Sequence, residues 1–283
     1  MKDWILATRL RTLPAAIAPV LLGWAICSNK QTLPAIMALL GAILIQIATN
    51  FANDYFDFIN GADTEERVGP TRATQAGLIT PKAMKWAFII TFGLTLPIIA
   101  FLTIQGGMVI VGIGIASIVS GILYTGGPKP LGYMGLGDIF VLIFFGPIAV
   151  GGTEYVQSLE WSSDATIIGL ASGFISTAIL VVNNLRDKET DSKVGKNTLA
   201  VRFGESFARW EYSICLIIPF TISIYYALIQ NMWILLSLLA FLPSIKSLRS
   251  MWSEAGRALD PNLGQTAKVL ILYSIFFSIG WNL

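Results

Sequence analysis

The chain has 283 residues, of which 54% are hydrophobic and 13% are charged, and its formal net charge at pH 7 is +2. Soluble domains carry roughly 25% charged residues, so this composition predicts an integral membrane protein and excludes an ordinary soluble enzyme. The chain has no histidine and only two cysteines, which excludes histidine acid–base catalysis, haem ligation by histidine and the usual zinc sites.

Apolar segments of a length suited to crossing a bilayer, about 20 residues, recur along the chain. They lie near residues 13–28, 34–52, 84–104, 107–124, 137–153, 165–183, 212–229, 231–245 and 267–282. The first lacks an A-x-A cleavage site and is interpreted as a retained helix rather than a signal peptide. The sequence therefore predicts an all-α polytopic membrane bundle of about nine transmembrane helices, forming one integral-membrane domain over residues 1–283.

The basic residues predict the orientation of this bundle. With nine spans, every lysine and arginine except Lys30 falls in connections on one side of the membrane. Connections rich in lysine and arginine stay in the cytoplasm. The sequence therefore predicts a multi-pass protein of the cytoplasmic (inner) membrane with its N-terminus in the cytoplasm.

The second span runs from the apolar "ALLGAILIQIAT" directly into "NFANDYFDFINGAD", which ends at Asp63. Residues three or four apart share one face of a helix. On a continued helix that face carries Asn50, Asn53, Asp54 and Asp57. The sequence predicts a stripe of acids and amides at the end of this span, with Asp63 reaching it from the following loop.

A similar motif, "NNLRDKETD", ends the sixth span and is followed by another basic, glycine-containing loop. Asn184, Asp187 and Asp191 have the same helical spacing. Four spans separate the two motifs, and an even number of crossings places both on the same side of the membrane. We expect them to face each other across a central cavity that opens near the cytoplasmic face.

Carboxylates gathered in this way repel one another unless a cation lies among them. Oxygen ligands without histidine or cysteine favour Mg²⁺, which is usually bound by a few carboxylates together with substrate phosphates. Arginine and lysine bind phosphate, and the basic candidates on this side are Arg67, Arg72, Lys129, Arg186, Lys193 and Lys196. The pattern predicts a site for a lipid diphosphate, with its head on the metal and its tail in the membrane.

Simpler interpretations remain open for single elements of this pattern. Acids at the ends of spans are often solvated interface residues, and basic loops can serve only to set topology. The stretch Leu123 to Asp138, "LYTGGPKPLGYMGLGD", is typical of a glycine/proline turn between helices.

Taken together, "NDYFD", "NNLRDKETD" and "VGKNTLAVRFG" resemble the signature motifs of the UbiA-type intramembrane aromatic prenyltransferases. The resemblance covers essentially the whole chain. The segments "ATRLRTLPAAIAPVLLG", "GADTEERVGPTRATQAGLIT" and "LDPNLGQTAKVL" most resemble the branch that prenylates 1,4-dihydroxy-2-naphthoate in menaquinone synthesis. The family pattern N-D-x-x-D-x-x-x-D has an acid four residues after the second aspartate, whereas here Gly61 stands there and the next acid is Asp63.

The resemblance implies Mg²⁺-dependent transfer of a polyprenyl group from its diphosphate to the naphthoate, with loss of diphosphate and CO₂. It implies catalytic metal ligands at Asp54, Asp57, Asp187 and Asp191, joined by Asp63. Asn50, Asn53 and Asn184 would orient the ligands or their water shell. Diphosphate contacts would come from the basic residues above, Tyr124 would stabilise an allylic cation, and Arg11 would bind the acceptor carboxylate.

Three other hypotheses were weighed. The same fold and chemistry can serve another acceptor, namely 4-hydroxybenzoate, homogentisate, a chlorophyllide or haem. A CDP-alcohol phosphotransferase is disfavoured because its D-G-x-x-A-R signature is absent. A cation transporter would use midplane carboxylates, whereas these acids lie at span ends beside basic loops. No nucleic-acid partner is expected.

Overall fold

Helices make up the regular structure throughout the residues described by the computed structural model, 1–62 and 68–283. The α-helices are α1 (Lys2–Thr8), α2 (Pro14–Ile26), α3 (Thr32–Ile59), α4 (Pro81–Leu123), α5 (Gly137–Ile143), α6 (Ala149–Ser158), α7 (Ser163–Arg186), α8 (Lys188–Lys193), α9 (Leu199–Ile229), α10 (Phe241–Ser253) and α11 (Asp260–Asn282). A π-helical segment, Phe144–Ile148, joins α5 to α6, and 3₁₀ turns cover Leu10–Thr12, Met232–Ala240 and Gly256–Leu259. The prediction of an all-α fold is confirmed.

The 43-residue helix α4 is a hairpin of two arms that turn at Gly107. Gly107 has φ 58° and ψ −151°, a left-handed conformation that favours glycine. A Cβ placed on Gly114 would lie 2.7 Å from Ile99, and one on Gly121 would lie 3.3 Å from Phe92. Residues 15 and more apart touch in this way only if the arms run antiparallel, so α4 crosses the bilayer twice.

The number of spans agrees with the sequence prediction of about nine. In the described residues, seven helical segments are long and apolar enough to cross a membrane. The bent pair Lys2–Thr12 and Pro14–Ile26, which meets at 52°, is an eighth candidate, and the hairpin divides α4 into two. The chain is therefore a multi-pass membrane protein.

Helix α7 is the central helix of the bundle. In the most apolar 18-residue stretch of α7, 72% of the residues are buried inside the protein. In the corresponding stretches of α3 and α4, 28% are buried. Its core neighbours include Leu22 of α2, Leu216 of α9 and Leu270 of α11. This packing fixes the end of α7, where the second acidic motif begins, relative to several other helices.

Glycines allow α7 to approach the π-helical segment closely. A Cβ on Gly146 would lie 2.8 Å from the carbonyl oxygen of Gly169, and a Cβ on Gly173 would overlap the carbonyl oxygen of Leu142. Small residues at helix interfaces in membranes let backbones come together and maximise dispersion contacts. The contact therefore has no room for a methyl group.

We expect Gly173→Ala to lower the melting temperature in detergent, because the added methyl must push α5 away from α7. Overpacking of this kind costs about 1–3 kcal/mol. The matched control is Gly93→Ala on α4, where a Cβ would meet no described heavy atom within 4 Å. Equal melting temperatures for the two variants would contradict the close contact.

Candidate active site

Both acidic motifs line one cavity of about 880 Å³. Asp54 and Asp57 reach it from α3, and Asp187 and Asp191 reach it from the end of α7 and from α8. All four residues are at most 8% exposed. The expectation that the two motifs face a common cavity is confirmed by this arrangement.

Asp54 accepts hydrogen bonds from the backbone of the loop that follows α3. Its Oδ2 accepts from the N–H of Ala73 at 3.1 Å, and its Oδ1 accepts from the N–H of Thr74 at 3.0 Å. Backbone donors on both oxygens stabilise the ionised carboxylate. Asp54 therefore also anchors this loop to the helix.

Asp57 is held by two side chains on opposite sides of its carboxylate. Arg72 Nη2 donates to Oδ2 at 3.0 Å, and Tyr133 Oη donates to Oδ1 at 3.0 Å. The side chains of Arg72 and Asp57 are 8% and 5% exposed. A buried pair of this kind holds its geometry because breaking it leaves an uncompensated charge.

The second motif is organised by the end of helix α7. Arg186 donates through Nε and Nη2 to the two oxygens of Asp187, at 2.8 and 2.7 Å. The short helix α8 then brings Asp191 to the cavity, where Lys196 Nζ lies 3.5 Å from its Oδ1. Asp187 and Asp191 thus each have a basic partner, namely Arg186 within the motif and Lys196 in the loop that follows it.

Burial and neighbouring charge act on the titratable groups of this cavity. Burial raises the pKa of Asp191 to about 6, Asp187 and Asp57 add repulsion, and Lys196 opposes the shift. The charge on Asp191 is therefore sensitive to acids from both motifs.

The donor set of the cavity fits Mg²⁺ in one particular way. No group of three or more acids, histidines or cysteines is arranged as a metal cage in the described part of the chain. The carboxylates instead come as two pairs, and each carboxylate oxygen has lone pairs beyond the bonds it accepts here. Mg²⁺ is commonly bound by one or two carboxylates, with waters and substrate phosphates as the remaining ligands, so the residues fit a metal that arrives with a phosphate ligand.

The amides predicted as a metal shell have different surroundings. Asn50 donates to the carbonyl oxygen of Thr8 at 2.9 Å and to Thr12 Oγ1 at 3.0 Å, which ties α3 to the N-terminal segment. Asn53 accepts a short hydrogen bond from Thr125. Asn184 is buried and lines the cavity. The structure thus gives Asn50 and Asn53 positioning contacts between segments.

The predicted basic residues divide into two groups. Arg72, Arg186 and Lys196 line the cavity, whereas Lys129 and Lys193 are exposed and lie outside its lining. Arg11 lines the cavity and pairs with Asp260 at 3.1 Å. Two further predicted residues, Asp63 and Arg67, lie outside the described residues.

Sequence reasoning missed two residues that contact the acidic motifs. Tyr133 lies in the glycine/proline stretch that is typical of a turn, and Asp260 lies in "LDPNLGQTAKVL", whose sequence alone indicates no site role for it. Both are polar residues next to apolar helices in the sequence, and this position is the only local feature that could indicate a functional role. Their partners are 76 and 74 residues away in sequence.

We expect Asp54→Asn to release the loop that carries Ala73 and Thr74, because one oxygen is replaced by an NH₂ group that repels a backbone donor. Hydrogen–deuterium exchange of the amides around Thr74 should rise by about tenfold, as for loss of roughly 1.4 kcal/mol, while exchange in the middle of α3 stays unchanged. Asp3→Asn, on α1 and outside the cavity lining, is the control. Unchanged exchange near Thr74 would refute the anchoring role.

Comparison with known proteins identifies the family. The model of the UbiA prenyltransferase family matches residues 16–274. The 1,4-dihydroxy-2-naphthoate octaprenyltransferases of Haemophilus influenzae and Escherichia coli are each 38% identical to the chain. The alignments cover 99% and 98% of this chain and 96% and 94% of the relatives, respectively.

A solved structure has the same fold. The UbiA homolog from Archaeoglobus fulgidus bound to GPP and Mg²⁺ superposes with a TM-score of 0.69 at 17% identity, covering 98% of this chain and 99% of that one. This likeness shows that the two proteins share the helical fold. The chain belongs to the UbiA prenyltransferase family.

Proposed function

We propose that the chain transfers a polyprenyl group from polyprenyl diphosphate to 1,4-dihydroxy-2-naphthoate in menaquinone synthesis, with Mg²⁺ as cofactor and with loss of diphosphate and CO₂. The observation that carries the proposal is the single cavity lined by both acidic motifs and by their basic partners. The names of the relatives that are 38% identical over nearly the full chain support the reaction and the acceptor. The ligands named for the Archaeoglobus fulgidus structure support the donor class and the metal.

The cavity lining suits a molecule with a charged head and a long apolar tail. Its acids and bases are accompanied by apolar residues from several helices, among them Ile98, Leu102, Phe140, Phe144 and Val156. Apolar walls bury an isoprenoid chain favourably, and they also keep water away from the reacting carbon.

When bound, Mg²⁺ supplies positive charge that neutralises the diphosphate as it leaves. Arg72 and Lys196 lie on carboxylates that line the cavity, so they are placed to meet phosphate oxygens as well. Negative charge on the diphosphate grows as the C–O bond breaks. Bases that point to it therefore stabilise the transition state more than the bound substrate.

Breaking the C–O bond leaves its electron pair on the diphosphate and an allylic cation on the donor. Tyr124 lines the cavity, and its ring face would stabilise a nearby cation. The ring carbon that bears the acceptor carboxylate forms the new C–C bond. The bond to the carboxylate then breaks, its electrons restore the aromatic ring, and CO₂ leaves.

The distribution of basic residues supports one orientation of the chain in the membrane. Lysines and arginines gather with the acidic motifs on one side of the bundle, and the positive-inside rule makes that side cytoplasmic. The N-terminus then also lies in the cytoplasm. In this orientation the polar end of the cavity opens to the cytoplasm, where Mg²⁺ and the water-soluble acceptor are available.

We expect membranes carrying the chain to form a prenylated, decarboxylated naphthol from dihydroxynaphthoate and a radiolabelled polyprenyl diphosphate, and to stop when EDTA is added. Asp187→Asn should lower the rate by about 100-fold or more, because it removes a carboxylate that would hold the Mg²⁺ that neutralises the leaving diphosphate. Glu205→Gln is the matched control, because Glu205 is an exposed acid outside the cavity lining. Its Oε1 lies 3.5 Å from Lys188 Nζ.

The acceptor panel separates the proposal from its alternatives. Product from 4-hydroxybenzoate or homogentisate but not from dihydroxynaphthoate would show that the acceptor is wrong while prenyl transfer stands. Absence of diphosphate release with every acceptor would contradict the prenyltransferase proposal itself. An active Asp187→Asn variant would contradict the role of the second motif.

A further inference from the structure

Asp260, the first residue of α11, lies in the cavity lining and contacts two arginines. Its Oδ1 accepts from Arg186 Nη1 at 2.9 Å, and its Oδ2 accepts from Arg11 Nη1 at 3.1 Å. The Asp260 side chain is 28% exposed, whereas that of Arg186 is 1% exposed. One carboxylate therefore links the N-terminal segment, α7 and α11 at the wall of the cavity.

Arg186 is shared between two carboxylates. Its Nε and Nη2 donate to Asp187, and its remaining nitrogen, Nη1, donates to Asp260. All three nitrogens of a buried guanidinium are thus hydrogen-bonded, as its burial requires. Three of the five N–H donors of Arg186 are thus used within the protein, so this buried guanidinium holds both carboxylates in place.

The end of α7 makes this arrangement possible. Successive side chains in an α-helix diverge by about 100°, so neighbours such as Arg186 and Asp187 do not normally face each other. Asp187 ends the helix with φ −94° and ψ 4°, outside the helical range. That turn brings its carboxylate onto the guanidinium of the preceding residue.

Charge balance gives Asp260 a defined role. A buried pair of Arg186 and Asp187 alone would be neutral and would offer a divalent cation little attraction. With Asp260 as a second anion on the same guanidinium, the three residues carry a net negative charge. Arg11 adds a positive charge, but its side chain is 62% exposed, so solvent screens it more strongly.

We propose that Asp260 is a positioning residue for the second acidic motif. By sharing Arg186 it fixes the orientation of the Asp187 carboxylate and leaves that carboxylate enough negative charge to bind a cation. The inference rests on the proposed function, because it assigns Asp187 to a metal–diphosphate complex. Partners of this kind, one shell away from a ligand, typically govern metal affinity.

The test compares Asp260→Asn with Asp260→Glu in purified, detergent-solubilised protein. The main readout is the rise in melting temperature caused by Mg²⁺ together with inorganic diphosphate, titrated with Mg²⁺. We expect Asp260→Asn to need about 10- to 100-fold more Mg²⁺ for half of the rise. Asp260→Glu, which keeps the charge, should recover most of the affinity.

A purely structural role for Asp260 would lower the melting temperature without moving the Mg²⁺ midpoint. Asp164→Asn is the matched control: it makes the same change at the other end of α7, where Asp164 accepts from Tyr226 Oη at 2.8 Å. An unchanged Mg²⁺ midpoint in Asp260→Asn would overturn the proposal. So would a result in which Asp260→Glu needs as much Mg²⁺ as Asp260→Asn for half of the rise in melting temperature. Failure of the wild type to prenylate any acceptor would refute the proposed function alone, since the thermal titration is independent of the acceptor.

Discussion

The structure depends on how buried carboxylates are given hydrogen-bond donors and basic partners at the ends of membrane-spanning helices. A charged residue at the centre of a bilayer costs about 2.5–3.5 kcal/mol on insertion scales, and several acids in one cavity also repel one another. Each acid here has its own compensation. Asp54 accepts two backbone N–H groups, Asp57 accepts from Arg72 and Tyr133, and Asp187 accepts twice from Arg186.

These partners come from distant parts of the chain, so the bundle and the site depend on each other. Tyr133 precedes α5, Arg72 lies between α3 and α4, and Asp260 begins α11. Close glycine contacts along α7 set where its C-terminal end lies, and therefore where Asp187 meets the acids of α3. A preorganised constellation of this kind lowers the reorganisation that a metal and a diphosphate must otherwise induce.

The sequence was informative wherever the signal is local. Helical spacing predicts that Asp54 and Asp57 lie on one face of a helix. The even number of membrane crossings between the two motifs predicts that Asp187 and Asp191 lie on the same side of the membrane as Asp54 and Asp57. The length of the apolar stretch predicts two spans, 84–104 and 107–124, and the structure has a turn at Gly107 between them. The roles of the basic residues are harder to predict from sequence, because loop lysines such as Lys129 and Lys193 have sequence surroundings similar to those of Lys196. Only the conformation of the loops shows that Lys196 lines the cavity. Tyr133 and Asp260 could not be assigned because their roles come from tertiary pairing.

The charge inventory of the cavity also bears on what it binds. The described lining residues include as many acids as bases: Asp54, Asp57, Asp187, Asp191 and Asp260 against Arg9, Arg11, Arg72, Arg186 and Lys196. A lone divalent cation would leave excess positive charge in a poorly solvated space, and a lone diphosphate would leave excess negative charge. A cation and an anionic head bound together compensate each other. The same balance disfavours a path for free cations, because a transport site that binds a bare cation needs an excess of acids, and here the described lining residues include equal numbers of acids and bases.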